Sequence, residues 1–420
     1  MNGGIALLTN ETIKIIKSTV PVLEVHGEKI TTRFYQLLFQ NNPELLNIFN
    51  HANQKQGRQQ TALANAVYAA AAHIDHLEEI IEDVKLIAHK HRSLGIKPEQ
   101  YPIVGKNLLA AIKDVLGDAA TDEVLNAWKE AYQVIANAFI SFEQGLYQQV
   151  EEVKGGWRDF RKFVVDKKVK ESEVITSYYL KPQGGGPLAT FQPGQYISVK
   201  VEIPGVKNTH IRQYSLSDSP GKDYYRISVK QESGNDTKPD GLVSTYLHQQ
   251  IKEGDILEIS APAGVFTLDE QNDRPVVLLS GGVGLTPLTS MVNTLVEKYP
   301  ERPVTFIHAS INENFHAFAQ HMTELASKNK QLKNYVVYER PTDNDRRFQN
   351  FDREGFITID WLKSIIKSNQ MDFYFCGPTP FMKAMYKGLK QWGVEKEHIH
   401  FEFFGPAGEL EEQAETVQAK

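Results

Sequence analysis

The composition of the chain changes at Gly155-Gly156-Trp157, and this change constrains the fold more than any other feature of the sequence. The 155 residues before Gly156 contain four prolines and consist of helix-like stretches. The 265 residues that follow contain fifteen prolines, many short β-rich runs and two glycine-rich turns. A chain of 420 residues also exceeds what one hydrophobic core usually supports. We therefore expect domains of different class on either side of a linker at residues 151–157.

The bulk composition excludes several classes of protein. Cys376 is the one cysteine in the sequence, which rules out an internal disulfide or a cysteine-ligated zinc or iron–sulfur site and fits a reducing compartment. The net charge of −6 argues against nucleic acid as a partner. No apolar run approaches the roughly 18 residues that a transmembrane helix needs. We predict a cytoplasmic protein without a transmembrane segment.

Residues 10–150 carry apolar side chains at helical spacing and no strand signal. Six to eight helices are expected, which predicts an all-α domain over residues 1–150. Pro21 is expected to interrupt the first helix, because proline lacks the backbone N–H that a helix interior uses. Residues 59–81 are expected to form one alanine-rich helix, and Gly95 is expected to end the helix that follows.

From Trp157 the apolar pattern changes to the period of two that is typical of strands. Short strands separated by Gly/Pro turns predict an antiparallel β-barrel over residues 158–268. From Pro275 strands alternate with helices, which predicts a parallel-sheet α/β domain over residues 269–408. Residues 409–420 are acidic and lack aromatic side chains, so we expect a disordered tail.

Two turns carry phosphate-binding character. The first follows an expected strand and reads Gly281-Gly282-Val283-Gly284-Leu285-Thr286-Pro287. Glycines let a pyrophosphate approach the backbone, and the N-terminus of the next helix favours negative charge. Thr286 is expected to cap that helix and Pro287 to occupy its first turn. The second turn is Cys376-Gly377-Pro378, at the carboxyl end of another expected strand, where ligands of open α/β sheets bind. A tight turn that serves only the fold is the alternative.

The segment Arg212-Gln213-Tyr214-Ser215 lies in the expected barrel and offers groups that suit a flavin. Arginine presents a planar fork to phosphate, and tyrosine presents a flat face to a ring system. With Gly241-Leu242-Val243-Ser244-Thr245 and the glycine turn, this segment resembles the ferredoxin reductase superfamily over about residues 157–406. The resemblance implies a FAD-binding barrel followed by a domain that binds a nicotinamide nucleotide.

The superfamily resemblance also implies which residues bind. The implied flavin contacts are Tyr196, Arg212, Gln213, Tyr214, Ser215, Ser244 and Thr245, while Glu402 and Phe404, with the adjoining Phe403 and Gly405, would close over the isoalloxazine ring. The turns at 281–287 and 376–378 would bind NAD(P)H. NADH and NADPH are not distinguished, because the residues after Ala309-Ser310 offer neither an acid at the strand tip nor an obvious arginine for a 2′-phosphate.

The region before the linker contains a candidate metal ligand. His91 shares an apolar stripe with residues three and four positions away, so its side chain is expected to point inward. A buried neutral imidazole is a good iron ligand, but a core histidine can equally be satisfied by a backbone carbonyl. His73 lies on a similar stripe and is a rival candidate. His89 is expected to face water.

The residues around these histidines resemble the globin of the flavohaemoglobin family. The matching motifs are Phe34-Tyr35, Asn42-Pro43-Glu44-Leu45 to Phe49, Gln59, Ala88-His89-Lys90-His91 and Ile96-Lys97-Pro98-Glu99-Gln100-Tyr101. With the reductase part, the resemblance spans essentially the whole chain. It implies that His91 is the proximal ligand of haem b and that Tyr101 and Glu143 form its hydrogen-bond network. It further implies that Phe49 packs on the haem, that Tyr35 and Gln59 line the distal pocket, and that Lys90 lies near the haem edge facing the flavin.

The family resemblance implies a nitric oxide dioxygenase that protects against nitrosative stress by converting nitric oxide and O2 to nitrate. A nicotinamide delivers two electrons and haem iron accepts one, so a flavin must stand between them. The implied partners are small molecules, with no obligate protein partner. Two alternatives stay open: a haem-dependent hydroperoxide or ferric-haem reductase, and an oxygen sensor or carrier. The attached reductase disfavours a sensor or carrier, which needs no continuous electron supply.

Overall fold

A computed structural model describes residues 8–235 and 239–404. Within these ranges the chain forms two compact units, one of residues 8–160 with 200–212 and one of residues 161–199 with 213–404. Two expectations lie outside the described residues, namely the flavin contact of Gly405 and the tail at 409–420.

The first unit is mainly helical. Its α-helices are α1 (Asn10–Asn41), α2 (His51–Lys55), α3 (Arg58–Ala72), α4 (Ile81–Leu94), α5 (Gln100–Leu116) and α6 (Asp122–Glu152). The two long helices begin at threonine caps, because the hydroxyls of Thr9 and Thr121 accept hydrogen bonds from backbone N–H groups of the first turn. The buried apolar faces of α1, α5 and α6 pack into one core. The all-α prediction is confirmed.

Pro21 does not interrupt α1, so that expectation is wrong. The helix runs from Asn10 to Asn41 with the proline inside it. A proline inside a helix costs about 3 kcal/mol. On either side of it, Ile16, Leu23 and Ile30 follow each other at seven-residue intervals and are buried in the core. Full burial of one such side chain contributes about 1.5–3 kcal/mol, so the packing of this face outweighs the penalty.

The single helix expected over residues 59–81 is also wrong. Helix α3 ends at Ala72, a 3-10 turn covers Leu77–Ile80, and α4 starts at Ile81. In the break, Asp75 pairs with Lys17 of α1 at 2.5 Å, and Nδ1 of His73 contacts the Glu79 carboxylate at 2.6 Å. These side chains thus have partners outside a continuous helix. Gly95 ends α4 with a φ of 75°, a conformation that glycine adopts without strain, as expected.

An antiparallel sheet follows the helices. Its strands are β1 (Phe160–Lys170), β2 (Ile175–Pro182), β3 (Tyr196–Val201), β4 (His210–Ser215), β5 (Tyr225–Lys230) and β6 (Ile256–Ser260), in the order β4-β3-β6-β1-β2-β5. Helix α7 (Leu242–Gln249) connects β5 to β6. An antiparallel bridge between Leu216 and Ile227 joins the chain after β4 to β5 and so brings the two edges of the sheet together. This arrangement agrees with the predicted barrel.

A parallel sheet makes up the rest of the second unit. Its elements are β7 (Val276–Gly281), α8 (Leu285–Lys298), β8 (Val304–Ser310), α9 (Ala319–Lys328), β9 (Leu332–Tyr338), α10 (Asp343–Phe348), β10 (Arg353–Glu354), α11 (Ile359–Ile365), β11 (Asp372–Cys376), α12 (Thr379–Gln391) and β12 (Ile399–Glu402). The strand order is β10-β9-β8-β7-β11-β12. The chain moves outward in opposite directions from β7 and β11, so the crevice between their carboxyl ends is where ligands of such sheets bind.

Buried apolar clusters cover both faces of the parallel sheet, as an α/β domain requires. Within residues 8–235 and 239–404, no helix combines the length and the apolar character needed to cross a membrane.

Candidate functional site

His91, Tyr101 and Glu143 form one hydrogen-bonded cluster in the first unit. They come from the end of α4, the start of α5 and the middle of α6. Nδ1 of His91 lies 2.8 Å from Oε1 of Glu143 and 3.2 Å from the Tyr101 hydroxyl, which donates to the same carboxylate oxygen at 2.6 Å. Because Nδ1 is held by a carboxylate, Nε2 is the ring nitrogen that can ligate a metal. This donor set fits the proximal side of a haem.

Glu143 and Tyr101 of this cluster are buried, whereas the His91 side chain is 32% exposed. Glu143 is 3% exposed and Tyr101 9% exposed. Burial, followed by the nearby Glu143 carboxylate, raises the pKa of the Tyr101 phenol, so the phenol remains a hydrogen-bond donor. The ring of Phe139 lies 6.0 Å from the His91 ring and 6.5 Å from the Tyr101 ring. Glu143 is therefore not the solvated side chain that its place on an amphipathic helix would suggest.

The other two histidines behave differently. Nδ1 of His73 lies 2.6 Å from the Glu79 carboxylate in an exposed pair, so His73 is not a buried ligand. His89 is less exposed than expected. It is partly buried, and Arg92 and Ser93 on the same helix are buried. Burial, and to a smaller degree the charge of Arg92, lowers the pKa of His89 to about 4.

The candidate distal side is built around Tyr35. Its ring centroid lies 5.7 Å from that of Phe49, so these two expected residues are brought together, and 5.8 Å from that of Phe39, which was not expected. Burial raises the pKa of the Tyr35 phenol, and a hydrogen bond from the Gln54 side chain opposes this rise in part. The phenol therefore keeps its proton, which it can donate to a second acceptor.

Gln54 is a residue that the sequence analysis missed. Its Nε2 donates to Oε1 of Gln59 at 2.6 Å, and its Oε1 accepts from Nε2 of Gln60 at 3.0 Å. Gln54 therefore bridges the two expected pocket residues Tyr35 and Gln59 by hydrogen bonds to both. The density of glutamines at 54–60 was a visible signal in the sequence for such an amide network.

The flavin motif lies along β4, as expected. Ser215 is buried, whereas Arg212, Gln213 and Tyr214 are partly exposed. Nη1 of Arg212 donates to the carbonyl of Ile211 at 2.8 Å, and Nε2 of Gln213 donates to Oγ of Ser198 at 3.1 Å. The planar guanidinium of Arg212 is the kind of group that suits a phosphate.

Tyr196 pairs with the chain after β6. Its backbone N–H donates to the carbonyl of Ala263 at 2.9 Å and its carbonyl accepts from Ala263 at 2.8 Å. A Cβ at Gly264 would lie only 3.0 Å from the Tyr196 ring, so glycine is needed where the ring packs.

Ser244 and Thr245, at the start of α7, have different roles in the fold. The Ser244 hydroxyl donates to the carbonyl of Gly241 and accepts from the backbone N–H of Glu232, both at 3.1 Å. The Thr245 hydroxyl is buried and has no hydrogen-bond partner among the described residues. Buried hydroxyls are nearly always satisfied, so an acceptor such as a flavin phosphate fits at Thr245. The Ser244 hydroxyl, by contrast, is used in hydrogen bonds at the start of α7.

The two glycine-rich turns meet at the carboxyl ends of β7 and β11. A Cβ at Gly284 would lie 2.1 Å from the carbonyl oxygen of Cys376, and one at Gly377 would lie 3.1 Å from the backbone nitrogen of Gly281. The glycines thus allow two backbones to touch. Gly282 has a φ of 53° and open space where a side chain would be, so its backbone can approach a ligand.

Thr286 does not cap α8, contrary to expectation. The helix starts at Leu285 after a 3-10 turn over Gly282–Gly284, and Gly284 occupies the cap position. Thr286 instead donates from its hydroxyl to the carbonyl of Val283 at 3.0 Å. Because of the 3-10 turn, the helix starts earlier in the chain than expected, and Thr286 lies in its first turn with Pro287.

Residues of β12 lie beside the second turn. Glu402 is the register partner of Cys376 on the neighbouring strand. Burial raises the pKa of the Cys376 thiol well above its ordinary value, and the Glu402 charge adds to the rise, so this cysteine stays a neutral thiol. Phe403 packs against the apolar cluster on one face of the parallel sheet, and Phe404 is 45% exposed. An exposed aromatic ring at this edge suits a planar ligand.

Lys90 precedes His91 on α4 and is partly buried.

Comparison with known proteins agrees with this geometry. The chain matches the family models for a globin at residues 32–139, an oxidoreductase FAD-binding domain at 162–268 and an oxidoreductase NAD-binding domain at 278–387. It is 60% identical over 405 residues to a flavohemoprotein of Bacillus thuringiensis subsp. konkukian, covering 96% of this chain and 100% of that protein. The chain belongs to the flavohemoprotein family.

Two solved structures extend the family assignment to the fold. A flavohemoglobin from Malassezia yamatoensis with bound FAD and haem is similar with a TM-score of 0.83 and 28% identity, covering 95% of this chain and 100% of that one. The FAD/NAD-binding domain of nitric oxide dioxygenase from Vibrio cholerae is similar with a TM-score of 0.54 and 40% identity, covering 59% of this chain and 100% of that one. The predicted order of globin, FAD-binding and NAD-binding modules is confirmed, and haem, FAD and a nicotinamide nucleotide are the cofactors of these modules. The exact domain boundaries stay a prediction.

Proposed function

We propose that this oxidoreductase is a nitric oxide dioxygenase, which converts nitric oxide and O2 to nitrate with electrons from NAD(P)H. The observation that carries the proposal is the His91–Glu143–Tyr101 cluster in a globin module whose chain continues into FAD-binding and NAD-binding modules. The activity named for the Vibrio cholerae relative supports it. A cytoplasmic location, where NAD(P)H is available, is part of the proposal.

The proximal residues would tune the haem. Nε2 of His91 would ligate the iron, and Nδ1–H would donate to the Glu143 carboxylate. An imidazole that donates to a carboxylate is a more basic ligand and gives more electron density to the metal. Tyr101 donates to the same oxygen of Glu143, which holds the carboxylate in place. These residues would hold the proton of His91 on Nδ1.

The distal residues would orient the gaseous substrates. The Tyr35 hydroxyl would donate a hydrogen bond to O2, and Gln54 would hold the phenol oxygen in position from the other side. The Gln54–Gln59 contact fixes the second amide of the pocket. Aromatic rings of Phe39 and Phe49 exclude water from the space beside Tyr35, and exclusion of water strengthens a polar contact.

The second unit would supply the electrons. Bound FAD would convert the hydride of NAD(P)H into single electrons, and bound haem would be the place where the two gases combine. Arg212 and Thr245 would hold the flavin phosphates, and Tyr196, Tyr214 and Ser215 its ring. The turns at 281–287 and 376–378 would hold the nicotinamide nucleotide, with Glu402 and Phe404 at the flavin ring.

A nitric oxide electrode tests this proposal directly. The full-length protein with NADH and O2 should consume nitric oxide rapidly, and the consumption should stop when either NADH or O2 is left out. A matched His91→Ala variant should retain NADH oxidation by ferricyanide, an acceptor that takes electrons from flavin, but lose nitric oxide consumption. Oxygen binding without nitric oxide turnover would refute the proposal in favour of a sensor or carrier.

A further inference from the structure

A row of buried polar side chains lies at the carboxyl edge of the parallel sheet, beside the glycine-rich turn and outside the site described above. Ser280 of β7 is the register partner of His308 of β8. Register partners on parallel strands project their side chains on the same face of a sheet, side by side. Nδ1 of His308 lies 2.8 Å from Oγ of Ser280, at hydrogen-bond distance, and both residues are almost fully buried.

The row continues across the next strand. His316, in the loop after β8, packs against His308 with ring centroids 4.7 Å apart and ring planes at 42° to each other. Tyr338 at the end of β9 has its hydroxyl 3.0 Å from Nδ1 of His316. Burial raises the pKa of the Tyr338 phenol, so the phenol keeps its proton and forms a neutral hydrogen bond with the imidazole. Side chains thus link the carboxyl ends of three strands in addition to the backbone pairing of the sheet.

The hydrogen bonds define the protonation state of His308. Its Nε2 is buried and has no partner among the described residues, so a proton there would be an unsatisfied donor. The neutral ring with its proton on Nδ1 avoids this cost and donates to Oγ of Ser280. Burial, with a smaller effect of His316, lowers the pKa of His308 well below its ordinary value and is consistent with a neutral ring.

The loop that carries His316 is also held firmly. Phe318 has a φ of 61°, a left-handed conformation that bulky side chains rarely adopt. Such a conformation persists only where the surroundings determine it. The Phe318 ring packs in the apolar core beneath α8 and α9, and the guanidinium of Arg226 lies 4.6 Å from its centroid. The backbone two residues after His316 is therefore held in place by this packing.

Ser280 is the residue immediately before Gly281, so the row acts on the turn that would receive the nucleotide. On the other side, the turn is pressed against the backbone of Cys376 and Gly377 at Gly284 and Gly281. Backbone contact with the end of β11 thus fixes one side of the turn. The His308 imidazole fixes Ser280, the residue that precedes the turn. Three of the four residues of this turn are glycines, whose backbone is restricted little by their own side chains.

We propose that the Ser280–His308–His316–Tyr338 row is a positioning element that holds the Gly281–Gly284 turn in the conformation that binds the nicotinamide nucleotide. The row touches neither nucleotide nor flavin in this role. It raises the fraction of molecules whose turn is already shaped for the pyrophosphate, and apparent affinity scales with that fraction. This inference requires only the NAD-binding module and deepens the proposed function by naming residues that support its electron donor.

The test compares His308→Ala with His308→Asn in the full-length protein. The alanine variant loses the donor to Ser280, whereas the asparagine amide N–H restores it. Loss of one buried hydrogen bond should raise the KM for NADH about fivefold, with kcat nearly unchanged, in NADH:ferricyanide assays that bypass the haem. Asparagine should bring the KM back to within about twofold of the parent value. Tyr338→Phe, which removes one hydroxyl and keeps the ring, should raise the KM by a smaller factor.

His398→Ala is the matched control. Nδ1 of His398 lies 2.8 Å from the buried Asp372 carboxylate, at the amino end of β11, so this variant also loses a histidine hydrogen bond in the same domain. It should lower thermal stability and leave the KM for NADH unchanged.

The outcomes separate positioning from simple structural support. If the row only stabilises the fold, His308→Ala and His398→Ala will both melt earlier with the same KM, and the inference is refuted. An unchanged KM in a well-folded, flavin-containing His308→Ala protein also overturns it. The proposed function fails differently, through a parent protein that reduces ferricyanide with NADH but consumes no nitric oxide. That result leaves the KM comparison intact.

Discussion

Gly284→Ala is the substitution whose effect follows most directly from the structure. The added Cβ would lie 2.1 Å from the carbonyl oxygen of Cys376, 2.4 Å from its carbonyl carbon and 2.6 Å from the nitrogen of Gly377. All three are backbone atoms, so no side chain can rotate away. Either the glycine-rich turn or the end of β11 must move by about 1 Å to restore ordinary contact.

The cost of this displacement should appear in nucleotide binding, because both displaced segments belong to the proposed nucleotide site. Overpacking of this kind costs about 1–3 kcal/mol. A penalty of about 2 kcal/mol corresponds to about 30-fold weaker binding. We therefore expect the KM for NADH in the ferricyanide assay to rise by about that factor, while the haem absorption spectrum stays unchanged.

Gly355→Ala is the control for this prediction. Gly355 has a φ of 99° and no atom within 4 Å of the added Cβ, so the substitution strains the backbone of the same domain without a clash. It should lower stability by about 1–2 kcal/mol and leave the KM for NADH unchanged. If Gly284→Ala binds NADH as the parent does, the close approach of the two turns is not required and the reasoning is wrong.

Three further predictions concern the haem pocket and the buried histidines. His91→Ala should lose haem and keep FAD in absorption spectra, and normal haem occupancy would contradict the ligand assignment. Tyr35→Phe should speed O2 dissociation about tenfold in stopped-flow measurements, because one hydrogen bond of about 1.4 kcal/mol is lost; an unchanged off-rate would exclude Tyr35 from this role. Burial, opposed by the Asp345 charge, lowers the pKa of His316 to about 4 in the folded state, so the unfolded state binds a proton more readily between pH 6.5 and 4. The free energy of unfolding of the second unit should therefore fall as pH decreases through this window, by up to about 1.4 kcal/mol per pH unit from this residue. His316→Gln should flatten the profile in urea titrations followed by flavin fluorescence, and an equally steep profile would remove His316 as the cause.

The sequence predicted the parts of the molecule that depend on local pattern. The change of period at Trp157 separated the helical region from the β-rich one. Gly95 marked a helix end because the residue there adopts a left-handed conformation, which glycine favours. The apolar stripe selected His91 as one of two candidates. It could not choose between His91 and His73, because the decisive Glu143 carboxylate comes from α6, 52 residues away.

Failures of prediction arose where tertiary packing outweighs local preference. Pro21 remains helical because the residues around it are buried together, and Thr286 lost its cap role to a 3-10 turn that starts the helix earlier. His89 is partly buried on a helix where Arg92 and Ser93 are also buried, which their polarity hides in the sequence. The glycines of the turn were expected to face a phosphate, yet Gly284 is required by a contact with another strand.

The stoichiometry of the reaction tests the central claim most directly. A hydride carries two electrons and each nitrate formed from nitric oxide and O2 requires one, so a relay through flavin and haem should form about two nitrates for each NADH oxidised. The full-length protein, with limiting NADH and excess nitric oxide and O2, should give this ratio when nitrate is measured by ion chromatography. NADH oxidation that yields no nitrate, or nitrate formation that persists without NADH, would contradict the account.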